Sequence, residues 1–269
     1  MTATTIGTPL TASGRVRPGA GLRQTATMAW RSLVAVKHNP LELVDYSITP
    51  IMFVFLFTYV LGGQMAGSPE AYLKYALPGI IVQNTLFMTI YTAMALNTDL
   101  TKGVFDRLRS LPIARSAPLI GRITADLAKH LWAMLLMIGL GLALGFRVTG
   151  GLGGFLVGAL LLIVFAAAVS WCAVLVGMLA GDAEKVQVFG FTLIFPLTFT
   201  SSAFVVVDTM PGWLQAWVDV NPVTQLSDAF RGLLLGGEVG RPLLWSLVWA
   251  AGIALVFYPT AMRAYRAKA

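Results

Sequence analysis

The sequence predicts an all-α integral membrane protein that crosses the bilayer six times. Three observations carry this. Of 269 residues, 57% are hydrophobic and only 12% charged, against about 45–50% and about 25% in soluble domains. The apolar residues come in runs of about 20, the length that crosses a hydrocarbon core. The 19 Lys and Arg gather between alternate runs, as they do on the cytoplasmic face of a membrane. The net charge of +7 is therefore read as topology rather than as an affinity for nucleic acid.

Taken in order, residues 1–23 hold no apolar stretch of signal-peptide kind and read as a disordered cytoplasmic tail. Residues 24–38 read as an amphipathic helix in the membrane interface. Trp30, Leu33 and Val34 share one face, Arg31 and His38 another, and Asn39-Pro40 ends it. A transmembrane domain, 24–262, holds spans at about 43–63, 76–97, 123–146, 154–180, 186–207 and 242–262. Pro50 is expected to kink the first. A polar loop follows, with Gln64, Ser68, Pro69, Glu70 and Lys74. The second span carries Gln83, Asn84 and Asn97, an unusual polar load. The third opens with Asp126, Lys129 and His130, and Pro196 sits within the fifth. Residues 263–269 form a short basic tail.

Fifteen of the basic residues fall on the tail, the 24–38 helix, the 98–122 linker, the start of span three, Lys185 and the C-terminus. Four fall on the other side: Lys74, Arg147, Arg231 and Arg241. That split places both termini in the cytoplasm of a cell membrane. Cys172, the single cysteine, lies in an apolar run and reads as packing. His38 and His130 read as interface anchors, neither with a catalytic partner.

Between spans five and six, Met210-Pro211-Gly212-Trp213 opens one short helix whose Trp213 and Trp217 share a face. Asn221-Pro222 reads as an N-cap with proline at the first helical position, opening a second that ends near Gly236-Gly237. The pair either re-enters the outer leaflet or lies on its surface.

The cytoplasmic linker reads as a helix continuing from span two, a bend at Pro112, and a short helix into span three. Val104, Leu108 and Leu111 form an apolar stripe beside Asp106, Arg107 and Arg109. The stripe either packs on its own bundle or docks a cytoplasmic partner. In the spans, polar groups are costly unless partnered or lining a cavity. Gln83 and Asn84, with Thr198, Ser201 and Ser202, are therefore either interhelical glue or a substrate path. Phe191, Phe195 and Phe199 share a face of span five and are either ordinary apolar surface or part of that path. No G-x-x-x-x-G-K-[ST] loop occurs. If ATP drives transport, another chain binds it. The acids cluster at span ends and loops, which disfavours a proton-coupled carrier.

Three motifs in order resemble the ABC-2 type permeases, in particular the daunorubicin-resistance-type subunits of actinobacterial drug exporters. They are Lys102-Gly103 with Asp106-Arg107-Leu108-Arg109-Ser110-Leu111-Pro112-Ile113, then Phe195-Pro196-Leu197-Thr198-Phe199-Thr200-Ser201-Ser202-Ala203-Phe204, then Met210-Pro211-Gly212-Trp213-Leu214 with Asn221-Pro222-Val223-Thr224. The resemblance implies a permease, not an enzyme, that pairs with a second copy or close paralogue. It implies two separate ABC ATPase subunits, which would hold ATP and Mg, and no cofactor in this chain. It matches 98–121 to the family's coupling helix and 24–38 to its connecting helix, so Trp30, Arg31, Val104, Asp106, Arg107, Leu108, Arg109, Leu111 and Pro112 are the implied docking residues. Asp106 stands where many relatives have glutamate. The implied cargo is a hydrophobic or amphipathic drug, antibiotic or lipid-like compound, with polysaccharide or glycolipid as the alternative.

Overall fold

The computed structural model describes residues 23–30, 34, 40–105 and 117–267, the side chains of 40–46 and 209 excepted. Among these there are helices and turns and no strand. Helix α1, Pro40–Phe55, runs into a π-helical segment, Leu56–Leu61, and the short α2, Gly62–Ala66. Then come α3, Pro69–Thr101; α4, Ala117–Ala143; α5, Gly151–Leu179; and α6, Ala183–Phe199. A 3₁₀ turn at Val207–Thr209 precedes α7, Gly212–Val220; α8, Pro222–Leu235; and α9, Gly240–Ala267. Five stretches are long and apolar enough to cross a membrane: Ser47–Ala66, α3, α4, α5 and α9. This is a multi-pass membrane fold.

Helix α3 is the central post, packing on α4, α5, α6 and α8. Its Tyr72, Leu77, Ile81 and Leu86 join Met137 of α4, Phe165 of α5 and Phe230 of α8 in the main core. At Gly79 a side chain would collide with the backbone of Ala203, whose Cα would lie 2.7 Å from the added carbon. A smaller cluster at the far end joins Leu96, Phe105, Leu119, Val174 and Tyr265.

Several expected boundaries move. The polar loop after the first span shrinks to Gly67 and Ser68, because Ser68 Oγ accepts from Ala71 N at 3.2 Å and Pro69 takes the first helical position. Pro50 lies within α1, which stays helical past it and widens only at Leu56. The helix of span two runs only four residues into the linker. It ends at Thr101, and Gly103 turns the chain at φ 66°, a conformation that favours glycine. Helical geometry resumes at Val104.

The largest change is in the fifth expected span. Helix α6 stops at Phe199, after 17 residues, rather than at 207. Pro196 brings no N–H, and the hydroxyls of Thr200 and Ser201 donate back to the carbonyls of Pro196 and Thr198. Such local bonds compete with the helix ladder.

The short helix pair forms as its sequence demands. Asn221 Oδ1 accepts from Val223 N at 2.8 Å, and Gly236 closes α8 at φ 79°. The C-terminal end of α8 meets the start of α5, where Gly150 N donates to the Leu234 carbonyl at 2.9 Å. Its other end, Asn221, donates to the carbonyls of Leu197 and Thr200 at the end of α6. The Asn221–Pro222 tip therefore lies beside the middle of α5, near Phe165 and Val169, not at its end.

Candidate functional site

Helices α1, α3 and α6 enclose a cavity of about 370 Å³. Helix α3 contributes Gln83, Asn84, Phe87 and Tyr91, one side of a helix over three turns. Helix α6 contributes Gln187, Phe191, Phe195 and Phe199, and α1 contributes Thr49, Pro50 and Phe53. The lining is aromatic with a few neutral polar groups, and no ionised side chain among the described residues is part of it.

The two amides sit differently. Gln83 is buried, and its Nε2 finds no partner among the described residues. Asn84 Nδ2 reaches only the Met88 sulfur, at 3.3 Å on the same helix. Neither makes an interhelical hydrogen bond here. Thr198, Ser201 and Ser202 are buried but are not part of the lining. Thr198 and Ser201 donate to their own helix end, and Ser202 Oγ donates to the Asp228 carboxylate at 2.8 Å.

Aromatic rings close one end of the cavity. Phe195 stacks on Phe199 at 4.3 Å, Phe199 on Phe204 at 5.3 Å, Phe204 on Phe57 at 4.7 Å and Phe57 on Phe53 at 5.8 Å. The run links α6, the turn after it and α1. Its two ends, Phe195–Phe199 and Phe53–Phe57, each have the helical spacing of four, and only the first was read from the sequence. Phe204 joins them through its long-range contact with Phe57.

The turn after α6 is strapped down. The Tyr75 hydroxyl donates to the carbonyls of Ser202 and Val205, and Tyr72 to that of Phe204. Arg231 lies 4.0 Å over the Tyr75 ring and donates to Tyr75 O, Ser202 O and Asp228 Oδ1. Every arm of the guanidinium is used, which offsets its partial burial.

The model of the ABC-2 type transporter family matches residues 23–235. The chain belongs to that family. It is 41% identical over 97% of its length to the daunorubicin resistance ABC transporter permease protein DrrB1 of Streptomyces coeruleorubidus, covering 92% of that protein. It is 29% identical over 87% of its length to the probable doxorubicin resistance ABC transporter permease protein DrrC of Mycobacterium tuberculosis, covering 84% of it. To the doxorubicin resistance permease protein DrrB of the same organism it is 26% identical over 68%, covering 63% of that protein.

Of the docking residues implied for an ABC-2 permease, Trp30 is 68% exposed at the end of helical residues 23–30, and Val104 is half-buried. Arg31, Asp106, Arg107, Leu108, Arg109, Leu111 and Pro112 lie outside the described residues. The stems that flank the linker are joined by one ion pair, Arg122 of α4 with Asp99 of α3, while Lys129 pairs with Asp126 within α4 at 3.2 Å. Gly121 of α4 lies against Met28 and Thr25, so helical residues 23–30 pack beside those stems. His130 is not the interface anchor its position suggested. It is 1% exposed, with both ring nitrogens unpartnered among the described residues.

Proposed function

We propose that this chain is the membrane-spanning subunit of an ATP-driven exporter of hydrophobic or amphipathic drug-like compounds. The observation that carries the reading is the cavity. Five phenylalanines, Tyr91 and two under-used amides border one space, which suits a flat apolar compound with a few hydrogen-bonding groups. The names of the relatives point the same way. Such a lining offers few hydrogen-bonding groups to a polysaccharide.

Within this reading α6 is the fifth of six crossings, short because its outer part is replaced by the strapped turn, and the α7–α8 pair re-enters the membrane. Both termini and the linker are cytoplasmic, on the split of basic residues. Two copies, or this chain and a close paralogue, pair across the α1 and α6 faces, where Met52, Leu56, Phe191 and Phe195 are exposed. Two separate ATPase subunits dock on the linker and the 24–38 helix and hold ATP and Mg, while this chain supplies only the path. Gln83 and Asn84 orient the compound and the aromatic rings hold its faces. The path residues named from sequence in the turn, Ser201 and Ser202, act through the outer closure.

The test is ATP-dependent uptake of daunorubicin into inverted vesicles holding this chain with a co-expressed ABC ATPase. Uptake is expected to need both chains and to stop when the ATPase P-loop lysine is replaced. Asn84→Leu is expected to change the ranking of transported compounds while protein level and thermal stability hold. Uptake without the ATPase, or a folded Asn84→Leu protein with unaltered selectivity, would count against the reading.

A further inference from the structure

Helix α6 has a second apolar face. Opposite the cavity just described, its Val186, Phe189, Leu193 and Leu197 border another hollow, of about 390 Å³. The other walls are α3, α5 and α9, and the Asn221–Val223 tip roofs it. Helix α6 packs along α3 and lightly on α5, but stands apart from α9. The space between them is what the hollow fills.

No polar demand comes from its walls. The Thr89 hydroxyl donates to the Leu86 carbonyl, and the Trp249 indole N–H to the Val220 carbonyl. Both ends of the Asn221 amide are engaged. Water has no partners there, so it would not stay. An empty slot would forfeit the dispersion contacts of its lining. The rim leads straight onto the lipid-facing surface: Phe189 and Leu193 are each 60% exposed, and Val188 and Val256 beyond them are exposed as well. Hydrocarbon from the bilayer is the material at hand.

Its length fits one leaflet. From Val186 to Leu197 the helix rises about 17 Å, roughly half of a hydrocarbon core of about 30 Å. The roof is the tip beside the middle of α5. The open end is the α5–α6 turn, where Lys185 pairs with Asp182 at 3.0 Å and stays 63% exposed. That puts a cation at the level of a lipid phosphate.

We propose that this hollow seats one acyl chain of an inner-leaflet phospholipid, which fills the space behind α6 and backs the wall of the transport cavity. The choice of leaflet rests on the orientation proposed above, whereas the seat does not.

The test needs neither ATPase nor transport, so its failure and that of the exporter reading are separable. The full chain is placed in nanodiscs of phosphatidylethanolamine and phosphatidylglycerol. These are doped with a phospholipid carrying a diazirine near the headgroup or at the chain end. After photolysis the adducts are mapped by peptide mass spectrometry. Adducts are expected to concentrate on the hollow, the near-headgroup label at Val176 and Val186 and the chain-end label at Pro222. Val169→Trp, from the wall, and Leu193→Trp, from the rim, are each expected to lose these adducts and keep those on the outer face of α5. The retained adducts certify that both variants fold. Adducts spread evenly over all lipid-facing helices, or persisting in both variants, would overturn the seat. Displacement of the adducts by added daunorubicin would make the hollow a cargo site, and their loss when two copies share a nanodisc, but not when one copy occupies it, an interface. Either would overturn the lipid assignment, and reversed depth order would overturn the leaflet.

Discussion

Asn221 closes three backbone gaps with one side chain. Its Oδ1 caps α8, and its Nδ2 serves the carbonyls of Leu197 and Thr200, which the end of α6 leaves free. A lost cap costs about 1 kcal/mol, and a buried carbonyl without a partner about 1–3 kcal/mol. Asn221→Ala is expected to lower stability by about 2 kcal/mol, read as a fall in Tm of the detergent-solubilised protein. Asn221→Ser keeps a capping oxygen and should recover part of it. The cap was legible because its donor is two residues away; the other bonds reach 24 and 21 residues back, where no local pattern points. Asp182 is a second local cap. The Lys185 N–H and ammonium group hold its carboxyl below the usual carboxylate range. A depressed folded value gives stability present above the unfolded pKa of about 3.9 and lost as pH falls through the folded one. The start of α6 should therefore loosen only below about pH 4, seen as faster proteolysis at the α5–α6 turn, and Asp182→Ala should show that speed at neutral pH. The Arg122–Asp99 pair joins elements 23 positions apart. Arg122→Asp is expected to lower Tm, and Asp99→Arg in the same chain to restore most of the loss.

Among elements, α6 separates what periodicity can and cannot see. Its apolar run continues past Phe199 through Ala203, Phe204, Val205 and Val206, so a span to 207 was the natural reading. What ends the helix is a proline followed by Leu-Thr-Phe-Thr-Ser-Ser, whose hydroxyls turn back on the backbone. What holds the turn is Tyr75 and Arg231, from helices distant in sequence. Arg231 was read only as a basic residue on the outer side. Arg231→Gln is expected to raise hydrogen exchange across 200–206 while leaving α3 protected, with Tyr75→Phe giving a smaller rise. Equal exchange in all three proteins would mean that the strap does not restrain the turn. The cavity was legible in part for a similar reason: Phe191, Phe195 and Phe199 repeat every four residues, and Gln83 and Asn84 stand out as amides in an apolar run. Pro50 and Phe53 could not be assigned to it, since nothing in α1 marks which face meets α3.

At the scale of the whole molecule, the split of basic residues was legible without any structure because it depends on counts per loop rather than on contacts. With Cys172 replaced by Ser, single cysteines at Lys74 and Arg147 should react with an impermeant maleimide on intact cells, and one at Arg109 only after lysis. Reaction at Arg109 from outside would reverse the orientation. One feature of the architecture bears on how such a molecule could open. In the orientation proposed, what stands between the cavity and the outer side is not helix α6 but the seven residues 200–206, tied by side-chain bonds from Tyr72, Tyr75 and Arg231. A barrier of that size can lift as a local opening, with a free energy below that of global unfolding. The helices around it need not slide through their packed core. Release would then cost a few hydrogen bonds and two aromatic stacks, Phe204 leaving Phe199 and Phe57. The step would behave as a hatch, fast and strongly sensitive to single substitutions in its hinges, rather than as a rocking of two rigid halves.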